Sequence, residues 1–186
     1  MKIEFKNYTH LDELQKEEIL NIRNTDYVRT QMKTESIISL KDHFEWIEKL
    51  KNDKTRFFFA VIHNDAIVGS ISLINIDMNT SSGYLGLYYK KAINPLISSL
   101  STYIFLDHCF IDLKFKTIYL EVLKSNKSAV NFDLNFGFQI EKELVIEEKS
   151  YYLMSNDYKN WEEKKTSAVL NILQKKASKV KFDFEG

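Results

Sequence analysis

The chain has 186 residues, 26 Lys+Arg against 26 Asp+Glu, and a hydrophobic fraction of 44%. That length suits one domain with a single core, and the zero net charge leaves no global basic field for nucleic acid. A single cysteine, Cys109, excludes an internal disulfide framework and any CxxC metal site, and no apolar run reaches the roughly 18 residues of a membrane span.

Residues 2–8 alternate apolar and polar and predict a first strand. Leu11, Leu14, Ile19 and Ile22 then recur at helical spacing. Residues 27–38 read as a short helix and a loop. Ser39 caps the next helix, with Asp42 as its capping-box partner and Phe44, Ile47 and Leu50 on one face. Two β-branched and aromatic runs, 55–63 and 66–76, flank Asn64-Asp65 and predict a hairpin. Thr80 to Gly83 turns into a fourth strand, Tyr84 to Tyr89. Asn94-Pro95 opens a helix to about residue 111, since asparagine caps well and proline fits the first helical position. Within it, Cys109 is expected to be a small core residue. Strand 117–124, helix 127–135 and strands 138–146 and 149–155 follow. The order β-α-α-β-β-β-α-β-α-β-β predicts an α/β (α+β) domain over 1–156 with a mixed sheet of seven strands and four flanking helices.

Residues 157–186 form a lysine-rich tail, in which Trp161, Val169, Ile172, Leu173 and Val180 fit one side of a helix. It is expected either to pack on the domain or on a second subunit of a homodimer, or to serve as a membrane-surface or partner helix. The start of the chain alternates like a strand and has no signal-peptide hydrophobic stretch, so a cytoplasmic location is expected.

The pattern from Glu121 to Phe138 (Glu-Val, then Asn126, Ala129, Phe132 and Phe136-Gly137-Phe138) resembles the second half of the GCN5-related N-acetyltransferase (GNAT) fold. Arg23-Asn24, Met32, the run from Ile38 to Leu50, Gly69 to Asn75 and Gly83 to Tyr88 are similar to one branch of that family. That branch acetylates the 4-amino group of UDP-4-amino-4,6-dideoxy-N-acetyl-β-L-altrosamine in pseudaminic acid biosynthesis, for flagellin and surface glycans. The resemblance implies acetyl-CoA as cosubstrate, a UDP-amino-sugar as acceptor, direct attack in a ternary complex, and no metal.

It also implies roles for particular residues. Leu87 and Tyr88 would offer backbone to the pantetheine arm at a split beside the fourth strand. Ile97, Ser98 and Ser99 would lie at the phosphate-binding helix start, although the family's glycines are absent there and Lys90-Lys91-Ala-Ile-Asn-Pro stands in their place. Asn126 would cap the last helix and touch the CoA arm. Arg23, Met32, His43, Ser72 and Leu73 would contact the acceptor. Glu121 would take the amine proton. The family's acid is a tyrosine; here its position holds Asp133, which, if ionised, would repel the leaving thiolate and leave Tyr88, Tyr89 or water to protonate it. Two alternatives stand beside this reading: a non-catalytic nucleotide-sugar-binding relative with a degenerate CoA site, and an acetyltransferase for a protein N-terminus or another small amine.

Overall fold

The structure is a computed structural model that describes residues 2–177 and the backbone of 184–185. Strand β1 (Ile3–Asn7) leads through a 3-10 turn at Tyr8–His10 into α1 (Glu13–Asn24). Asp12 and Gln15 form a reciprocal capping box at its start. Leu14 does not join the apolar face: it stands 78% exposed in the first turn, while Ile19 and Ile22 are buried. The expected short helix and loop are the one-turn helix α2 (Asp26–Arg29) and the residues after it, before α3 (Leu40–Leu50) starts on its Ser39 cap.

Strands β2 (Phe57–His63) and β3 (Ala66–Asp77) form the expected hairpin, with Asn64 and Asp65 at φ 49° and 66°. Two positive φ values match the turn twist that short hairpins need. Strand β4 (Ser82–Tyr89) leads to α4 (Pro95–Asp107), which ends in a π-helical turn, His108–Asp112. Then come β5 (Thr117–Leu123), α5 (Lys127–Asn135), β6 (Gln139–Ile146) and β7 (Lys149–Asp157). Gly137, at φ +95°, takes the left-handed position that stops α5.

The strands form one sheet in the order β6-β7-β5-β4-β3-β2-β1-β8, where β8 (Phe184–Glu185) adds two residues parallel to β1. The sheet therefore has one short strand more than expected. Only β4–β5 and β1–β8 are parallel; the other neighbours are antiparallel. Each face carries a core. Tyr8, Leu11, Ile19, Ile22, Ile47 and Ala60 pack under α1 and α3, while Phe5, Ile71, Leu73, Leu100, Phe105 and Met154 pack under α4. Cys109 is buried in the second core, and burial pushes its thiol far above the ordinary value.

The tail folds as two helices, α6 (Tyr158–Lys165) and α7 (Ala168–Ala177), broken at Thr166–Ser167. With this break the single apolar stripe does not form. Trp161, Leu170 and Leu173 enter the α4 core, whereas Val169 and Ile172 are exposed. Val180 lies outside the described residues. Trp161 Nε1 and Lys165 Nζ both reach Asp107 Oδ1 at 3.1 Å, fixing α6 on the end of α4.

Candidate active site

The sheet opens at its parallel pair. Strands β4 and β5 are in register at Ser82–Thr117, Gly83–Ile118 and Tyr84–Tyr119 and no further. Beyond that point the β5-facing backbone of Leu85–Tyr89 is left to a cleft of about 1290 Å³. Gly86 keeps this wall thin, since a Cβ there would meet Ser72 Oγ at 2.7 Å. The cleft runs from an end lined by Arg23, Met32 and His43 to one lined by Ser98, Asn126 and Asp133.

At the first end, Arg23 Nη2 donates to the Thr34 carbonyl at 2.7 Å, but Nη1 is buried without a partner. His43 is also buried, and its Nε2 has no partner. Burial, first of all, pushes this imidazole below its ordinary value, so the ring is neutral near pH 7. His43 packs against Tyr8, Phe44 and Trp46. Met32 lines the same end and leans on the α1–α3 core. Below them Tyr8 Oη donates to Ser70 Oγ at 2.8 Å and lies 3.1 Å from Tyr88 Oη.

Strand alternation separates two residues expected together. Ser70 and Ser72 face the cleft, whereas Ile71 and Leu73 point to the opposite core. Leu73 therefore does not reach an acceptor through its side chain. Ser72 does line the cleft, and its hydroxyl donates to the Gly86 carbonyl at 3.3 Å.

Leu87 and Tyr88 line the cleft along the opened seam and Ser98, Ser99 and Asn126 line its other end, but Ile97 is buried outside it. The start of α4 also differs from an open anion site. Asn94 Oδ1 accepts from Leu96 N at 2.9 Å, and its carbonyl accepts from Ile97 N at 2.8 Å and Ser98 N at 3.4 Å. Proline 95 has no N–H to give. Lys90 is paired with Glu18 at 2.9 Å. Positive charge on the cleft wall at this end comes from Lys91 and Lys127. Asn126 accepts from Ala129 N at 3.1 Å, so it caps α5 and still lines the cleft.

Glu121 lines the cleft from β5, and its carboxylate is ion-paired with Lys33, a contact that no sequence pattern signalled. Asp133 on α5 is 7% exposed. Burial raises its carboxyl to about 8, which keeps it protonated at neutral pH. Desolvation favours the neutral acid over an ionised, thiolate-repelling aspartate, and among the described residues no ion pair to Asp133 holds the charge. Tyr89 is no substitute donor, since its phenol is engaged by Ser101 and Thr102 at 2.9 and 3.0 Å.

Residues 12–163 match the family model described as an acetyltransferase (GNAT) domain. The chain belongs to the GNAT acetyltransferase family. It is an acetyl-CoA-dependent N-acetyltransferase. It is 30% identical over 150 residues to the acetyltransferase PseH of Campylobacter jejuni strain 81-176, covering 81% of this chain and 90% of that protein. The crystal structure of C. jejuni N-acetyltransferase PseH with acetyl coenzyme A matches with a TM-score of 0.66 at 26% identity, over 83% of this chain and 98% of the other. Spermidine N-acetyltransferase from Vibrio cholerae, solved with CoA and spermine, matches with a TM-score of 0.77 at 20% identity, over 86% of this chain and 98% of the other. That last likeness concerns the fold alone.

No helix among the described residues is long and apolar enough to cross a membrane.

Proposed function

We propose that the protein transfers acetyl from acetyl-CoA to the 4-amino group of a UDP-linked amino-dideoxy sugar, in the cytoplasmic synthesis of pseudaminic acid. The observation that carries this reading is the pair of buried, partnerless nitrogens, Arg23 Nη1 and His43 Nε2, at one end of a cleft whose middle is the opened β4–β5 seam. A guanidinium suits phosphate and carbonyl oxygens, and a neutral imidazole nitrogen suits a uracil edge. Similarity to the PseH proteins supports the same acceptor class.

In this reading the β5-facing backbone of Leu87 and Tyr88 holds the pantetheine arm. Lys91, Lys127 and the hydroxyls of Ser98 and Ser99 take the phosphates, because the first amides of α4 are already bonded to Asn94. Asn126 borders the arm, Met32 floors the deoxysugar, and Ser72 lies under it. Glu121 receives the proton of the attacking amine. Asp133, protonated, returns one to the departing thiolate. No covalent enzyme intermediate forms, since the amine attacks the thioester directly.

The test is incubation with acetyl-CoA and the UDP-4-amino sugar, with a thiol reagent as readout. Stoichiometric thiol release with acetylated sugar is the expected result. Transfer to peptide N-termini at a higher kcat/KM would overturn the acceptor assignment.

A further inference from the structure

We propose that Lys33 is an intramolecular acetyl acceptor, modified on Nζ by acetyl-CoA bound in the enzyme's own cleft. The inference rests on the function just proposed, in which Glu121 is the proton acceptor for the incoming amine.

Lys33 lies in the loop between α2 and α3; just before it Met32 N donates to the Arg29 carbonyl at 3.0 Å, and the residues just after it are held by side chains. Arg23 Nη2 holds the Thr34 carbonyl at 2.7 Å, and Arg29 Nη1 holds the Glu35 carbonyl at 3.0 Å. Asn24 bonds both backbone groups of Ile38, donating to its carbonyl at 2.8 Å and accepting from its N–H at 3.0 Å. Lys149, at the start of β7, forms an ion pair with the Glu35 carboxylate, so the loop is tied across to the far half of the sheet. Such a tethered backbone delivers the Lys33 ammonium to Glu121, with which it is ion-paired.

That carboxylate belongs to the part of β5 that has parted from β4, and it lines the cleft. A primary alkyl amine, its side chain 54% exposed, is thus already paired with the carboxylate proposed to take the acceptor's proton. Holding the two groups together makes a slow bimolecular acylation effectively unimolecular. The balance is simple. The ammonium gives one proton to Glu121, and the freed Nζ lone pair attacks the thioester carbonyl carbon. The carbon–sulfur bond then breaks and the sulfur leaves as thiolate. The second nitrogen proton passes to solvent as the amide forms, and the thiolate is protonated from Asp133 or water. Products are Nε-acetyl-lysine and CoA thiol, with one net proton released. The amide carries no charge, so the modified chain presents Glu121 unpaired.

The experiment incubates the full-length protein with acetyl-CoA and no acceptor, then follows 42-Da additions by peptide mass spectrometry. Lys41 and Lys159, whose side chains are 81% and 85% exposed, report uncatalysed acylation. Lys33 is expected to exceed both by at least about 10²-fold, the lower end of what positioned proton transfer provides. Its rate constant should not change with protein concentration, and Glu121→Gln should bring it down to the level of the two reference lysines. Equal labelling of all three, in a sample shown by calorimetry to bind acetyl-CoA and by thiol release to turn over an amine, would overturn the inference and leave the function standing. A rate rising with protein concentration would overturn the intramolecular route. Absence of acetyl-CoA binding would overturn both readings.

Discussion

The phenol oxygens of Tyr8 and Tyr88 lie 3.1 Å apart and join the turn after β1 to the free half of β4. Ser70 completes the cluster by accepting from Tyr8. Burial raises both phenols, Tyr8 with added repulsion from Tyr88, so both are protonated and held to structural bonds. Tyr8→Phe should therefore lower stability by about 1–2 kcal/mol, the worth of two buried neutral hydrogen bonds. Urea unfolding of the variant checks the loss, and it should shift the midpoint without changing the slope.

Asp133 sets a pH dependence whose sign follows from its environment. Burial raises its carboxyl to about 8 in the folded chain, against the ordinary carboxylate value when unfolded. Between those values the native state holds one proton more, so stability falls as pH rises and levels off above the folded value. The slope for this one group is at most about 1.4 kcal/mol per pH unit. The same protonation governs its proposed work as an acid. The rate should decline above roughly pH 8, and Asp133→Asn should remove that limb while lowering kcat about 10²-fold. A pH–rate profile of both proteins measures this; an unchanged alkaline limb in the variant would take the acid role from Asp133.

Arg23 and His43 should separate by the size of their effect on KM. The Arg23 Nη1 atom is buried and partnerless, so a ligand oxygen placed there gains a charge-assisted bond of about 1.5–3 kcal/mol. Arg23→Ala should raise KM for the nucleotide sugar by roughly 10–100-fold with kcat little changed, because the contact is remote from the reacting amine. His43 is neutral, and a neutral bond is worth about 1 kcal/mol, so His43→Ala should cost roughly fivefold. Steady-state kinetics with each variant, beside UDP-induced thermal shifts, tests the order Arg23 over His43.

Local signals made most of the framework legible. Ser39, Asn94-Pro95, Asn126 and Gly137 mark helix ends by capping chemistry that a few neighbouring residues decide, and each acts where expected. Asn64-Asp65 closes its hairpin for the same reason. The pair of residues Ser72 and Leu73 shows the limit: adjacent in sequence, they belong to opposite faces, and only the sheet's pairing says which face holds the cleft. The Lys33–Glu121 pair joins a loop to a strand from the other half of the chain, and such contacts leave no spacing to read. The protonation of Asp133 was illegible because it depends on burial within the folded cleft and not on any neighbour in the chain.

The tail offers the last prediction. Trp161 is fully buried between Tyr103 and Phe110, with ring centroids 5.4 and 5.8 Å away, and its Nε1 reaches Asp107. A buried tryptophan cut to alanine loses both transfer energy and the contacts around the cavity it leaves, about 3–5 kcal/mol in all. The Asp107 acceptor would keep Lys165, at 3.1 Å, so the polar side of the contact survives. Trp161→Phe keeps the ring stacking and loses mainly the Nε1 bond, and should therefore cost about 1–2 kcal/mol. Equilibrium unfolding of the three proteins gives the comparison. A Trp161→Ala loss below that of Trp161→Phe would mean that α6 is held by its ion pairs and not by the tryptophan.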